Sequence, residues 1–117
     1  LIREGKVAAL IVAGGQATRL KAKGSKGLYP VSITGKTLFQ IFAEKTKACS
    51  TWAGRDLPLC IMTSPLNDAE IKNYFLEKDN FGLNNLHFFT QGMLPLRDLN
   101  GKELTIQGPD GNGSALE

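Results

Sequence analysis

Val7 to Val12, VAALIV, is an unbroken aliphatic and alanine run that empties into Ala13-Gly14-Gly15. A run of this kind, with no polar residue on either side of the pleat, fits a strand buried on both faces, the habit of a central strand in a parallel sheet. At its carboxyl end Gly14 and Gly15 leave no side chain between main-chain N–H groups and a ligand, and they can take backbone angles closed to other residues. Thr18 adds a hydroxyl, and Arg19, Lys21, Lys23 and Lys26 follow closely. Their charge and donor chemistry suit a di- or triphosphate. The spacing fits neither a Walker loop, which ends in G-K-[ST], nor a G-x-G-x-x-G dinucleotide fingerprint. On these residues alone, a tight turn beside a solvated lysine face stays open as the alternative to a phosphate loop.

The rest of the chain alternates between strand and helix signals. Tyr29 to Ile33 reads as a short extended piece, because proline biases the residue before it away from helix, and Thr34-Gly35 turns it. Thr37 with Gln40 three residues on forms a capping-box pattern, and Leu38, Ile41, Phe42 and Lys45 fall at helical spacing over about three turns. Ser50 to Asp56 reads as a loop in which Trp52 packs. Leu57 to Met62 is a second strand. Asn67 with Glu70 caps a second helix whose apolar face is Ile71, Tyr74 and Phe75 and whose wet face is Lys72, Glu77 and Lys78. Gly82 stops it, and Leu86 to Thr90 is a third strand. That strand carries His87, the sole histidine, which with no carboxylate or nucleophile beside it reads as structural. Asn100-Gly101 predicts a two-residue hairpin turn between Leu96–Leu99 and Lys102–Gln107. This alternation predicts an α/β sandwich with a mostly parallel sheet, whose ligands bind beyond the strand carboxyl ends.

Composition narrows the function classes. With 117 residues and 42% apolar content, the chain can make one compact domain that buries roughly 65% of its unfolded surface. The formal charge of +3 is too mild and too scattered for a nucleic-acid reader. Cys49 and Cys60 lack metal spacing and are too few for a disulfide framework, which favours reduced thiols and a cytoplasmic setting. No run approaches the ~20 apolar residues of a membrane span.

Five segments in order, A-G-G-Q-A-T-R-L with Lys26-Gly27, T-L-F-Q-I, I-M-T-S, F-F-T-Q-G-M-L-P and P-D-G-N-G, resemble the UDP-sugar pyrophosphorylases. Among these the eukaryotic-type UDP-N-acetylglucosamine pyrophosphorylases are the nearest match. Ala17 stands where that family has a third glycine, and Ser25 where it has a proline. The resemblance implies a Rossmann-like three-layer sandwich, the nucleotidyltransferase core, of which residues 1–117 would be the UTP-binding part. It implies UTP and a sugar 1-phosphate as partners, with N-acetylglucosamine 1-phosphate first and glucose or galactose 1-phosphate as alternatives. It assigns Ala13, Gly14, Gly15, Gln16, Thr18, Gly111 and Asn112 to the nucleotide and sugar, Gln91 to the uracil base, and Arg19 and Lys26 to phosphate charge. A side-chain amide both donates and accepts, as the edge of uracil requires.

Mg²⁺ is expected for the reaction, but with its ligands outside this chain, since Asp110 reads as a turn residue. Family members are several times longer and Leu1 is not a methionine, so the chain is expected to be a fragment that does not turn over alone. A nucleotide-binding module without catalysis is the other class left open.

Overall fold

The structure is a computed structural model that describes residues 1–15 and 25–104. It is α/β: β1 (Ala9–Val12), α1 (Leu38–Ala53), β2 (Leu59–Thr63), α2 (Asp68–Glu77) and β3 (Leu86–Thr90) follow in turn. The strands form one parallel sheet in the order β1-β2-β3. Ala9, Leu59 and Leu86 share one level, and Ile11, Ile61 and Phe88 the next. These side chains meet Phe39 and Ala43 of α1 and Ile71 and Phe75 of α2 in a single core. Phe75 is its hub, with the rings of Phe39, Phe81 and Phe88 centred 5.4, 5.5 and 5.5 Å away.

Both helices therefore cover one face of the sheet. Because strand side chains alternate, the same register sets Leu10, Val12, Cys60, Met62, His87 and Phe89 on the other face. Among the described residues this face is open, with Leu10 60% and Val12 69% exposed. The expectation of a central first strand buried on both sides is corrected. Among the described residues β1 has one neighbour, and the middle strand is β2, whose Leu59, Ile61 and Thr63 are fully buried. An aliphatic run records which residues avoid water, and it carries no information on how many strands will flank it. His87 is likewise exposed rather than half-buried, its Nε2 2.5 Å from Asn85 Oδ1.

α1 starts as the sequence predicts, with the Thr37 hydroxyl accepting the Gln40 N–H at 3.1 Å. Gln40 turns its own amide to Glu44 instead of completing the box. The helix then outruns the expected three turns. Ser50 and Thr51, read as loop, donate their hydroxyls to the carbonyls of Thr46 and Lys47. Such back-bonds let polar residues continue a helix. Gly54, at φ 68°, ends it. The buried stripe is Phe39, Ala43 and Thr46 rather than the Leu38, Ile41 and Phe42 set. Trp52 is 60% exposed on the last turn, with the Arg3 guanidinium 4.4 Å above its ring.

Below α2 the backbone takes an uncommon course. Asp79, Asn80 and Phe81 sit consecutively at φ 53°, 52° and 51°, a region that L-residues enter at a cost. Phe81 is held there by its packing on Tyr74 and Phe75. The predicted hairpin begins, but with a three-residue loop. Asp98 N–H bonds the Lys102 carbonyl, and Gly101 at φ 82° closes the turn with a bond to the Asp98 carbonyl. The Asp98 carboxylate takes the N–H groups of Asn100 and Lys102, which selects the type I turn plus bulge over the two-residue form.

Candidate functional site

All three strands run the same way, so the residues that follow them gather along one edge: Ala13-Gly14 after β1, Ser64 after β2, Gln91 after β3. Main-chain bonds lock these ends together. Ala13 N–H donates to the Met62 carbonyl and Gln91 N–H to the Thr63 carbonyl, each at 2.8 Å. Gln91 folds its side chain over Gly14, so that a methyl group there would overlap the carboxamide. Two residues 77 positions apart in sequence, both predicted for the site, thus meet above the end of β2. Gly14 is buried, and neither it nor Gly15 takes a left-handed φ. The glycine at position 14 is needed for close approach and not for backbone angle. Gly15 is exposed, and among the described residues nothing lies where its side chain would be.

Lys26 opens a short 3-10 turn, Lys26–Leu28, with its side chain exposed and in no ion pair among the described residues. The buried Gly27 lies against the Phe39 ring so closely that a Cβ would collide with it. Phe39 is 1% exposed, so the turn that presents Lys26 is seated on the core of α1. Ser25, which the resemblance sets at a proline position, has φ −72° and ψ 142°. Those are polyproline angles, and serine here keeps the backbone a proline would impose.

Beside the strand ends lies a polar network. The Thr63 hydroxyl donates to Asp68 Oδ1 at 2.6 Å, and Lys72 Nζ is 2.7 Å from Oδ2. Lys72 first and Thr63 second hold the Asp68 carboxyl below its ordinary value. A depressed folded value contributes stability that is complete above the unfolded carboxylate range and is lost as pH falls through the folded value. Melting temperature is therefore expected to drop as pH falls below about 4, and Asp68→Asn should flatten part of that descent. Thermal melts of both proteins across roughly pH 2 to 6 check this. Identical acid slopes would remove Asp68 from the account.

Asn67 departs from its predicted part. It precedes α2, yet its side chain makes no capping bond. Its Oδ1 accepts Ser64 N–H and its Nδ2 donates to the Ala13 carbonyl, both at 2.8 Å. A cavity of about 280 Å³ lies elsewhere, between Lys47, Gly54, Arg55, Gly82 and Asn84. It sits beside the strand amino ends, and its Lys47 ammonium already bonds the Gly82 carbonyl. Gln16, Thr18, Arg19, Gly111 and Asn112 lie outside the described residues.

Comparison with known proteins identifies the family. The family model described as UTP–glucose-1-phosphate uridylyltransferase matches residues 3–112. UDP-N-acetylglucosamine pyrophosphorylase of Saccharomyces cerevisiae is 41% identical, over 96% of this chain and 26% of its own length. UDP-N-acetylglucosamine diphosphorylase 1 of Arabidopsis thaliana is 34% identical, with the same two coverages. The crystal structure of the Trypanosoma brucei UDP-N-acetylglucosamine pyrophosphorylase in complex with inhibitor superposes with a TM-score of 0.75 at 32% identity. That match covers 97% of this chain and 24% of the other. The chain spans about a quarter of the length of these relatives.

Proposed function

Since the chain belongs to the UTP–glucose-1-phosphate uridylyltransferase family, we propose that it is the UTP-binding part of a nucleotidyltransferase that makes UDP-N-acetylglucosamine from UTP and N-acetylglucosamine 1-phosphate. The observation that carries the reading is the Gln91 carboxamide laid over Gly14 at the carboxyl edge of a parallel sheet. Ligands of such sheets bind at that edge. An amide held there can pair with the carbonyl and imide N–H of uracil, and main chain without side chains lies next to it for the phosphates. The choice of N-acetylglucosamine 1-phosphate over glucose or galactose 1-phosphate rests on the names of the relatives.

In the reaction, an oxygen of the sugar 1-phosphate attacks the α-phosphorus of UTP. A phosphorus–oxygen bond forms, the bridge to the β-phosphorus breaks, and pyrophosphate leaves with the electron pair. Attack of one anion on another is slow unless the partners are oriented and their charge is offset. Lys26 and Arg19 supply positive charge, while Ala13, Gly14 and Gly15, with Gln16 and Thr18, line the nucleotide. Gly111 and Asn112 complete the assignment toward nucleotide and sugar. Mg²⁺ is expected in the whole protein, but among the described residues no group of three possible ligands comes together to hold it. None of the described helices is long and apolar enough to cross a membrane, and Cys49 and Cys60 are free thiols.

Pyrophosphate release from UTP with each of the three sugar phosphates tests the reading. Residues 1–117 alone are expected to bind UTP and release no pyrophosphate; in the whole protein, UTP binding without release with any of the three would leave a binding module. Lys26→Ala is expected to weaken UTP binding about tenfold, the worth of a charged hydrogen bond, and to reduce its dependence on salt. An unchanged affinity with unchanged salt dependence would take Lys26 out of the phosphate site.

A further inference from the structure

We infer that Asn67 is a positioning residue for base recognition, acting through Ala13 and Gly14 on Gln91. This inference rests on the nucleotide reading given above. Asn67 is 7% exposed, and its carboxamide ties the turn after β2 to the Ala13 carbonyl, 54 positions before Asn67 in sequence. One end accepts from Ser64 at the close of β2, and the other donates to the Ala13 carbonyl at the mouth of the glycine loop. Ala13 also donates its N–H to the Met62 carbonyl. Both polar groups of its backbone are therefore fixed to β2 and its turn. Gly14 is the next residue, and its bare Cα is the surface on which the Gln91 amide lies.

Shifting Ala13 shifts that floor, and with it the group expected to read the base. The site calls for an amide in particular. Asparagine offers one donor and one acceptor in a fixed plane, matched to one carbonyl and one N–H. Aspartate keeps the acceptor for Ser64 but sets a carboxylate oxygen against the Ala13 carbonyl. Alanine leaves both main-chain groups unpaired. The first turn of α2 carries Asp68 and Glu70, which already suit the positive end of the helix, so the side chain of Asn67 is free to serve the loop.

The test titrates UTP and CTP into the wild type, Asn67→Asp, Asn67→Ala and Gln91→Ala by calorimetry, with thermal melts alongside. CTP has the same triphosphate and presents a different base edge. In the wild type UTP is expected to bind more tightly than CTP, and Gln91→Ala should reduce that ratio. Asn67→Asp and Asn67→Ala should also lower the ratio, about fivefold or more, with part of the loss falling on UTP alone. A purely structural role would lower the melting temperature and weaken both nucleotides equally, leaving the ratio intact, and that result overturns the inference. If Asn67→Asp does not fold, Asn67→Thr, which retains a single hydroxyl, is read in the same way. A wild type without preference for UTP would overturn the nucleotide reading itself. Preference retained in both Asn67 variants but lost in Gln91→Ala would overturn only the part assigned to Asn67.

Discussion

Gly14→Ala is expected to weaken UTP binding about tenfold or more while moving the melting temperature little. The added methyl would enter the space of the Gln91 carboxamide. That carboxamide is the far end of a flexible side chain, so the protein can relieve the clash by swinging it away. The relief costs little in folding, because Gly14 does not sit at a φ that alanine resists. It costs much in recognition, since a hydrogen-bonding group that is displaced leaves the base edge unpaired, and unpaired polar groups are penalised by about 1–3 kcal/mol. Calorimetric titration beside a thermal melt separates the two effects. Full affinity in the alanine variant would mean that Gln91 does not need its observed seat. A large fall in melting temperature would mean that the site and the core are not separable at this residue.

Phe75→Ala should have the largest effect on stability, a loss of about 3–5 kcal/mol. Its ring is fully buried and neighbours four others, those of Phe39, Tyr74, Phe81 and Phe88. Removing it takes an edge-to-face partner from each of them and opens a cavity between both helices and β3. Folded proteins are stable by only about 5–15 kcal/mol, so this one change approaches the limit of what the fold can lose. Urea unfolding measures it as a lower midpoint. A loss below about 1 kcal/mol would show that neighbouring rings collapse into the space.

Much of this was legible in the residues. Strand-helix alternation predicts the three parallel strands and both crossovers, the Thr37 cap and the Ile71, Tyr74 and Phe75 face of α2, because each depends on local periodicity or on groups a few positions apart. The resemblance of Gly14 and Gln91 to one family anticipates that they belong together. What local patterns could not carry is partnership. β1 reads as central from its own side chains, yet strand order depends on which neighbours pair. Asn67 fits a cap by its position, but its hydrogen-bond partner at Ala13 is distant in sequence. The end of α1 is hidden because Ser50 and Thr51 suggest a loop, whereas their hydroxyls bond one turn back and continue the helix. The need for a bare Gly14 is not legible locally either, since the side chain that requires it is Gln91, which follows β3.

The left-handed stretch at Asp79, Asn80 and Phe81 has a bearing on the order in which the chain assembles. Each such residue is disfavoured by roughly 1–2 kcal/mol in an L-chain, and the two main-chain bonds that close the turn, Phe81 N–H to the Lys78 carbonyl and Leu83 N–H to the Asn80 carbonyl, offset only part of that sum. Docking of the Phe81 ring adds the rest, and the ring has nowhere to dock until α2 has presented Tyr74 and Phe75. The connection to β3 is thus expected to wind late, as the third strand is drawn in, and to loosen early when the protein opens. The strand that leads into Gln91 would then be the last to arrive and the first to leave, making the seat of the Gln91 carboxamide on Gly14 the least durable contact of the fold.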